Sequence, residues 1–258
     1  MKNAARGAGG FLRAFPFALE HGLWWAFVVP AILWVALTYG FFVAMEGPVD
    51  RFTEWVSLRF SIPVDPSADG WAGTWNGIKA VLNGARELLV GALLKLAIAY
   101  LLFTFNKYIV LILLSPLLAY VSERTATILT GVDHPVKDVW RGVLIALRNG
   151  TLELLIILAT WMASIMVPII APFTFVFLFL VSAYFYGFSM FDYVFERRRM
   201  QVGASVRAVN DRMGMVLANG ALFSLLMKIP FVGMCLAPPM AAIGAVLAVE
   251  KAELPQAS

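Results

Sequence analysis

The sequence predicts an all-α integral membrane protein, and two features carry this prediction: composition and long uncharged runs. Of the 258 residues, 61% are hydrophobic and 14% are charged, whereas soluble domains have roughly 25% charged residues. Several runs of roughly 16 to 25 residues hold almost no charge, which suits helices in a hydrocarbon core about 30 Å thick. One soluble core would not bury so many apolar runs. We therefore expect residues 1–258 to form a single membrane domain.

The first apolar run, residues 23–45, predicts a transmembrane helix. It holds no charge, and at about 1.5 Å per residue it is long enough to cross the bilayer. Residues 1–22 carry Lys2, Arg6 and Arg13, as a signal peptide would, but the run is too long for the apolar core of one. We predict a cytoplasmic N-terminus followed by a retained helix.

Two segments of different character follow. Prolines, glycines and charges of both signs fill residues 46–87, which predict an extracytoplasmic loop with short interfacial helices. Residues 88–131 predict a second transmembrane helix that continues through Pro116 as an emergent arm. Lys95 interrupts its apolar part. This residue is either a snorkelling lysine at the end of a tilted helix or a cation that lines a pathway.

Two helical hairpins complete the predicted fold, over residues 149–192 and 213–249. The arms of the second hairpin have only about 15 or 16 residues, or roughly 24 Å of helix. This length fits a re-entrant hairpin that turns inside the membrane as well as it fits two crossings. The prolines predicted to mark the hairpin turns are Pro168, Pro172, Pro230 and Pro238.

The distribution of basic residues predicts the sidedness of the chain. Its formal net charge is +4, and the link between the hairpins carries Arg197, Arg198 and Arg199. Since cytoplasmic loops are enriched in Lys and Arg, this link and both termini are predicted to be cytoplasmic. In a soluble protein the same excess would suggest nucleic acid, but here no nucleic-acid partner is expected.

Motifs for catalysis and for metal or cofactor binding are missing from the sequence. His21 and His134 are far apart, and neither a zinc-protease motif, a phosphate-binding loop nor a nucleophile elbow occurs. We therefore expect no enzyme, no metal site and no cofactor. The lone cysteine, Cys235, also excludes an intrachain disulfide.

Ionisable residues near the membrane are the remaining candidates for function, because they are costly there. Glu153 is interpreted as an interfacial salt bridge, with Arg148 or with a basic residue of the neighbouring link. Asp192, at the end of a helix, is predicted to pair with an arginine such as Arg197 or Arg212. The run of three arginines at 197–199 is either an anchor for anionic lipid or the cytoplasmic vestibule of an anion pore.

Three stretches resemble one known family in order and in spacing: LLSPLLAYVSERTATILTG (113–131), FDYVFERRR (191–199) and NGALFSLLMKIPFVGMCLAPPMAAIGAV (219–246). They are similar to the CysZ sulfate permeases and the wider etoposide-induced-protein-like family. The shared elements include a proline before an arm with Glu123 and Arg124, an Asp-Tyr pair that ends a hairpin, and an Ile-Pro turn.

The resemblance implies a fold and a function. It implies a bacterial inner-membrane protein that takes up sulfate for cysteine biosynthesis without hydrolysing ATP. It also implies a homo-oligomer around shared pores, contact with membrane lipids, and two hairpins that only partly penetrate the bilayer.

The sulfate site of this family resembles a Gly-Leu-Arg-Arg turn before the first long helix. The matching positions are Gly22, Leu23, Trp24 and Trp25, so tryptophan replaces both arginines. Backbone amides can still bind an oxyanion, whereas each indole offers one neutral N–H. The tryptophan side chains are then interpreted as interfacial anchors. Three explanations for the missing arginines stay open: another cation supplies the positive charge, the protein handles another solute, or its main role is not transport. The candidates for another cation are Arg13, His21 and Lys95.

Overall fold

Regular structure is helical throughout the residues described by the computed structural model, which are 2–65, 67, 69–132, 139–229 and 231–253. This confirms the predicted all-α class. Of the predicted turn prolines, Pro230 lies outside the described residues. The helices are α1 (Lys2–Glu20), α2 (Trp25–Phe60), α3 (Trp71–Thr130), α4 (Val139–Met166), α5 (Ala171–Arg197), α6 (Val202–Asp211), α7 (Met213–Leu226) and α8 (Val232–Glu253), with a short 3-10 helix at Pro168–Ile170.

Most of these helices are long enough to meet both sides of a bilayer. α6 and α7 are exceptions, because their 10 and 14 residues correspond to only about 15 Å and 21 Å of helix. The second hairpin, α7 with α8, therefore pairs one short arm with one long arm. Within the described residues, five segments are long and apolar enough to cross a membrane: Trp25–Phe60, Ile109–Thr130, Gly142–Met166, Ala171–Arg197 and Val232–Glu250.

The prediction of a loop over residues 46–87 is wrong for most of its length. Residues 46–60 continue α2, and residues 71–87 begin α3. The prolines, glycines and mixed charges suggested a loop, but helix propensity is a weak prior that tertiary context overrides. Both helices extend past the uncharged runs as helices with charged residues on their surface.

The chain forms two compact units, and Trp34–Lys107 make up one of them. In this unit the Asn83 side chain bonds the connection between α2 and α3 twice, to the amide and the carbonyl of Ile62, each at 3.0 Å. The Arg86 guanidinium donates to the carbonyl of Phe60, the last residue of α2. Side chains of α3 thus satisfy backbone groups that the end of α2 leaves open.

The connection itself contains a local turn at Asp65. Its carboxylate accepts hydrogen bonds from the Ser67 hydroxyl at 2.6 Å and from the Ser67 amide at 2.9 Å. These two bonds favour the ionised form, so they lower the pKa of Asp65 below its usual range.

The other unit consists of Met1–Leu33 and Tyr108–Ser258. Its bundle of α1, α5, α7 and α8 is held by close backbone contacts at glycines. A Cβ on Gly220 would overlap the carbonyl oxygen of Ala183, and one on Gly10 would overlap that of Gly244. Small residues allow helices to approach this closely. In a membrane, where lipid supplies no hydrophobic driving force between helices, the resulting van der Waals packing holds the helices together.

The prolines of the first hairpin lie at its turn. Pro168 is in the 3-10 helix, and Pro172 occupies the first turn of α5, where its missing N–H costs no intrahelical bond. Across the turn, the hydroxyls of Ser164 and Thr174 lie 2.6 Å apart. The prediction that Pro238 marks a turn is wrong, because this residue lies inside α8. Packing in the bundle keeps α8 helical across it.

Candidate functional site

The turn between α1 and α2 is closed by a Schellman motif. Gly22 has a φ of +72°, and its amide bonds the carbonyl of Leu19 at 3.5 Å. The amide of Leu23 bonds the carbonyl of Ala18 at 2.8 Å, and both of these side chains are buried. This pattern requires glycine at position 22 and an apolar residue at position 23. The Gly-Leu pair therefore has a local structural reason.

The next two backbone amides, those of Trp24 and Trp25, are available to a ligand. The amides of Ala26 and Phe27 bond the carbonyls of Leu23 at 3.0 Å and Trp24 at 3.1 Å. By contrast, the amides of Trp24 and Trp25 have no acceptor in the described part of the chain. They lie at the start of the 36-residue α2, where the helix dipole favours negative charge. Two such donors suit an oxyanion.

The side chains of the two tryptophans have different surroundings. Trp24 is 58% exposed, as an interfacial anchor would be. Trp25 is half-buried, and its ring centroid lies 5.9 Å from that of Tyr120 on α3. Trp25 therefore contributes to packing between α2 and α3, in addition to any role in the interface.

Of the three predicted cations, two belong to the same unit as the turn. Arg13 is exposed on α1. His21 is exposed in the turn itself, where it donates from Nδ1 to the Phe17 carbonyl at 2.8 Å and stacks on the Phe17 ring. This bond requires the proton on Nδ1, so a second donor at Nε2 needs the imidazolium form. Lys95 belongs to the other unit.

Within its own unit, Lys95 lines a cleft between α2 and α3. The cleft has a volume of about 460 Å³, and its polar lining residues include Asp50, Thr53 and Glu87. Lys95 is exposed there. It is therefore one cation among acidic side chains, and the cleft does not carry an excess of positive charge.

A buried ion pair joins the C-terminal ends of α5 and α8. The Arg197 side chain is 5% exposed, and its guanidinium binds the carboxylate of Glu250 and donates to the Ser122 carbonyl at 3.3 Å. Arg198 Nη2 lies 3.2 Å from the same carboxylate. The cluster thus connects α3, α5 and α8. Sequence reasoning missed Glu250, although a carboxylate that closely follows the last apolar run is a signal for such a pair.

Arg197, one of the two arginines predicted to pair with Asp192, binds Glu250, and the pairing of Asp192 with Arg212 stays a prediction. Asp192 is buried and accepts a hydrogen bond from the Ser205 hydroxyl of α6. The pair fastens α6 against the end of α5.

The remaining predicted charges lie near this cluster. Glu123 is half-buried on α3, and Arg124 beside it is exposed. Arg199 is exposed and has a φ of +56°, just after the end of α5. Two arginines of the basic run, Arg197 and Arg198, thus share the one carboxylate of Glu250, so the run keeps a net positive charge, and Arg198 and Arg199 are its exposed members.

Glu153 is buried between α4 and α5, so the predicted interfacial pair with Arg148 is wrong. It is 1% exposed and accepts from the Ser182 hydroxyl at 2.6 Å. Arg148 is exposed on another face of α4, because residues five positions apart point in different directions on a helix. Beside Glu153 is a small cavity of about 30 Å³, whose lining also includes Asn149 and Ser189, a volume that suits one or two waters.

A model of the family described as sulfate transporter CysZ/etoposide-induced protein 2.4 matches residues 10–238. The chain belongs to this family. No curated protein matches it. The CysZ family consists of transporters rather than enzymes, so membership supports a role in transport across a membrane.

The family match covers the turn between α1 and α2 and the first hairpin, and it ends at residue 238 inside α8. The first two positions of the turn have the residues that a Schellman motif needs, as shown by Gly22 and Leu23. This member of the family departs from the Gly-Leu-Arg-Arg turn that the resemblance implies only at Trp24 and Trp25, where side-chain charge would be supplied.

Proposed function

We propose that this protein mediates passage of sulfate, or of a related tetrahedral oxyanion, across the bacterial inner membrane. Transport would serve cysteine biosynthesis and would not use ATP. The observation that carries this proposal is the pair of available amides at Trp24 and Trp25, held at the start of α2 in a member of a sulfate-transporter family. Both termini are proposed to be cytoplasmic.

The missing arginine pair implies weak anion binding at this turn. Two neutral amides supply hydrogen bonds but no net charge, whereas a guanidinium adds bidentate, charge-assisted bonds that are roughly twice as strong. Arg13 and His21 are the nearest candidates for positive charge along the chain, and both are exposed. We infer that the anion binds at this site only briefly, as it does in a channel. The channel would be formed by an oligomer of this chain.

The exposed arginines after α5 support the same proposal on the cytoplasmic side. Arg198 and Arg199 extend beyond the end of the helix, where positive charge raises the local concentration of an anion. They would act as a vestibule rather than as a binding site, because Arg197 and Arg198 already share the carboxylate of Glu250.

A second candidate function is a lipid-interacting scaffold that does not transport. Trp24 is 58% exposed in the position of an arginine, and an exposed indole suits the headgroup zone. The outer face of α1 also carries exposed apolar side chains at Leu12, Phe15 and Leu19, as amphipathic helices at a membrane surface do.

Uptake of radiolabelled sulfate into proteoliposomes separates the two functions. Vesicles that contain the full chain should take up sulfate faster than empty vesicles. Their uptake should be slower than that of vesicles with a family member that has the Gly-Leu-Arg-Arg turn. Uptake equal to that of empty vesicles, while the family member conducts, would contradict transport. Phospholipid that copurifies with the chain, without anion flux, would support the scaffold.

A further inference from the structure

The walls of the cleft between α2 and α3 carry charges of both signs. Asp50 and Thr53 belong to the α2 wall, and Glu87 and Lys95 belong to the α3 wall. The three ionisable side chains are exposed, and among the described residues no hydrogen bond or ion pair engages any of them. The described lining therefore presents two carboxylates and one ammonium group to a ligand.

The α3 wall of the cleft has little side-chain volume. Gly84, Gly91 and Ala92 line it. A Cβ on Gly84 would meet nothing within 4 Å, and one on Gly91 would lie 3.9 Å from the methyl group of Thr53. The volume of the cleft is about 460 Å³, and ligand pockets measure about 300–1,000 Å³. A ligand with a small polar group can therefore enter between the two helices and approach the backbone of α3.

The cleft lies where the apolar parts of both helices meet their first charges. On α2, the uncharged run of residues 23–45 ends just before Glu46 and Asp50. On α3, Lys95 directly precedes residues 96–105, which carry no charge. A boundary between apolar and charged helix is typical of the headgroup zone of a bilayer. Phospholipid head groups are therefore the small polar groups that surround the cleft.

We propose that this cleft binds the head group of phosphatidylethanolamine. The lipid ammonium donates N–H bonds to the carboxylates of Asp50 and Glu87, and the Lys95 ammonium donates to the lipid phosphate. All of these are charge-assisted hydrogen bonds, which are roughly twice as strong as neutral ones. The site is separate from the turn between α1 and α2, and the proposal does not depend on which solute the protein passes.

The order of the charges along α3 agrees with the orientation of a phospholipid. Glu87 lies about two turns nearer the aqueous end of α3 than Lys95, and the ammonium of the lipid extends beyond its phosphate. Side chains tilt towards the N-terminal end of a helix, so the Lys95 stem runs towards Glu87. Leu88 in the lining and Leu96 below it are exposed, and they offer apolar contact to the acyl chains.

The lining distinguishes common head groups by charge and by N–H donors. The choline ammonium has no N–H, and its recognition relies on aromatic cages, whereas none of the described lining residues is aromatic. Phosphatidylglycerol is anionic and has no cation, so Asp50 and Glu87 repel it. We therefore expect phosphatidylethanolamine to bind more tightly than phosphatidylcholine, and phosphatidylglycerol to bind least.

Native mass spectrometry of the full chain tests this order with the three lipids, all with identical acyl chains. The dissociation constant should be about fivefold lower for phosphatidylethanolamine than for either of the others, and Lys95→Met should remove this advantage. Asp50→Asn/Glu87→Gln should make phosphatidylglycerol the tightest ligand, because Lys95 is then the one charge left in the described lining. Glu54→Gln, one turn further along α2 and outside the lining, is the matched control and should keep the parent order.

A pair of leucine substitutions separates the cleft from the rest of α3. Gly84→Leu places a side chain in the cleft and should weaken phosphatidylethanolamine binding about tenfold. Gly77→Leu, outside the lining, should leave it unchanged. A Cβ at either position meets nothing within 4 Å, so circular dichroism should show the same helix content for both variants.

Three outcomes would overturn the proposal. Equal affinity for the three lipids would contradict recognition of the head group, and equal loss in the two leucine variants would place the lipid outside the cleft. Glycerophosphoethanolamine has the same head group without acyl chains, and it should not displace the lipid at equal concentration. Displacement would identify a soluble zwitterion, rather than a lipid, as the ligand.

Discussion

The amide of Leu23 donates a hydrogen bond of 2.8 Å to the carbonyl oxygen of Ala18, and this bond fixes where α1 ends and α2 begins. It passes over Gly22, whose φ of +72° turns the chain. The two available amides that follow are oriented by the same turn. A candidate anion site of this form depends on backbone geometry first and on side-chain charge second.

Replacing Gly22 tests this dependence. Gly22→Val places a β-branched residue in the left-handed region, which costs on the order of 1–3 kcal/mol, and should lower both thermal stability and sulfate uptake. Gly9→Ala on α1 is the control, since a Cβ there meets nothing within 4 Å; alanine should raise helix stability by up to about 1 kcal/mol. Equal melting temperatures for the two variants would contradict a required turn.

Restoring charge at the turn should increase anion binding. Trp24→Arg is the first choice, because Trp24 is 58% exposed while Trp25 packs against Tyr120. Calorimetric titration with sulfate should give tighter binding for Trp24→Arg, and tighter still for the double variant Trp24→Arg/Trp25→Arg. Trp24→Phe, which removes the indole without adding charge, should bind as the parent does. No gain from either arginine would mean that the anion does not use this turn.

Breaking the buried pair at the ends of α5 and α8 should strongly destabilise the protein. Glu250→Gln leaves the Arg197 guanidinium, 5% exposed, without its countercharge, which costs about 3–5 kcal/mol for a buried pair. Removing both charges with Arg197→Met/Glu250→Met should cost less than Glu250→Gln alone. Denaturation in detergent measures the free energy of unfolding of both variants. Arg124→Gln, at an exposed site, is the control and should change this free energy by less than about 0.5 kcal/mol.

The close contact between α5 and α7 predicts a similar loss at Gly220. Even Gly220→Ala would drive its Cβ into the carbonyl of Ala183, so α7 must move and the bundle should lose about 1–3 kcal/mol. Gly203→Ala on α6 meets open space and serves as the control. If the two alanine variants melt at the same temperature, α5 and α7 do not pack this closely.

The sequence predicted those parts of the fold that depend on local pattern. Long uncharged runs indicated the helices, and a turn near Pro168 and Pro172 follows from their fixed geometry. The helical nature of residues 46–60 and 71–87 was not predictable in the same way, because prolines, glycines and mixed charges are typical of loops. Only the pairing of α2 with α3, through groups such as Asn83 and Ile62, shows that these residues form helices and not loops.

The candidate site could likewise be predicted only in part from the sequence. Gly22 and Leu23 were located by their resemblance to a family turn, and the structure supplies their reason. The partners of Arg197 and Asp192 were not predictable, because Glu250 and Ser205 lie on other helices and meet them only in the folded bundle. Charge pattern along a chain shows that partners are needed, but it does not show which ones are near.

The hydroxyl pair at the turn of the first hairpin has a consequence for how that hairpin sits in lipid. Ser164 donates to the Thr160 carbonyl at 2.8 Å, and the Thr174 hydroxyl then donates to the Ser164 hydroxyl at 2.6 Å. The side chains around them are exposed and apolar, among them Ile165, Met166 and Phe173. Because the two hydroxyls bond each other and a neighbouring carbonyl, neither side chain needs a water at the tip of this hairpin, and these two polar groups therefore allow the tip to lie at different depths in bilayers of different thickness.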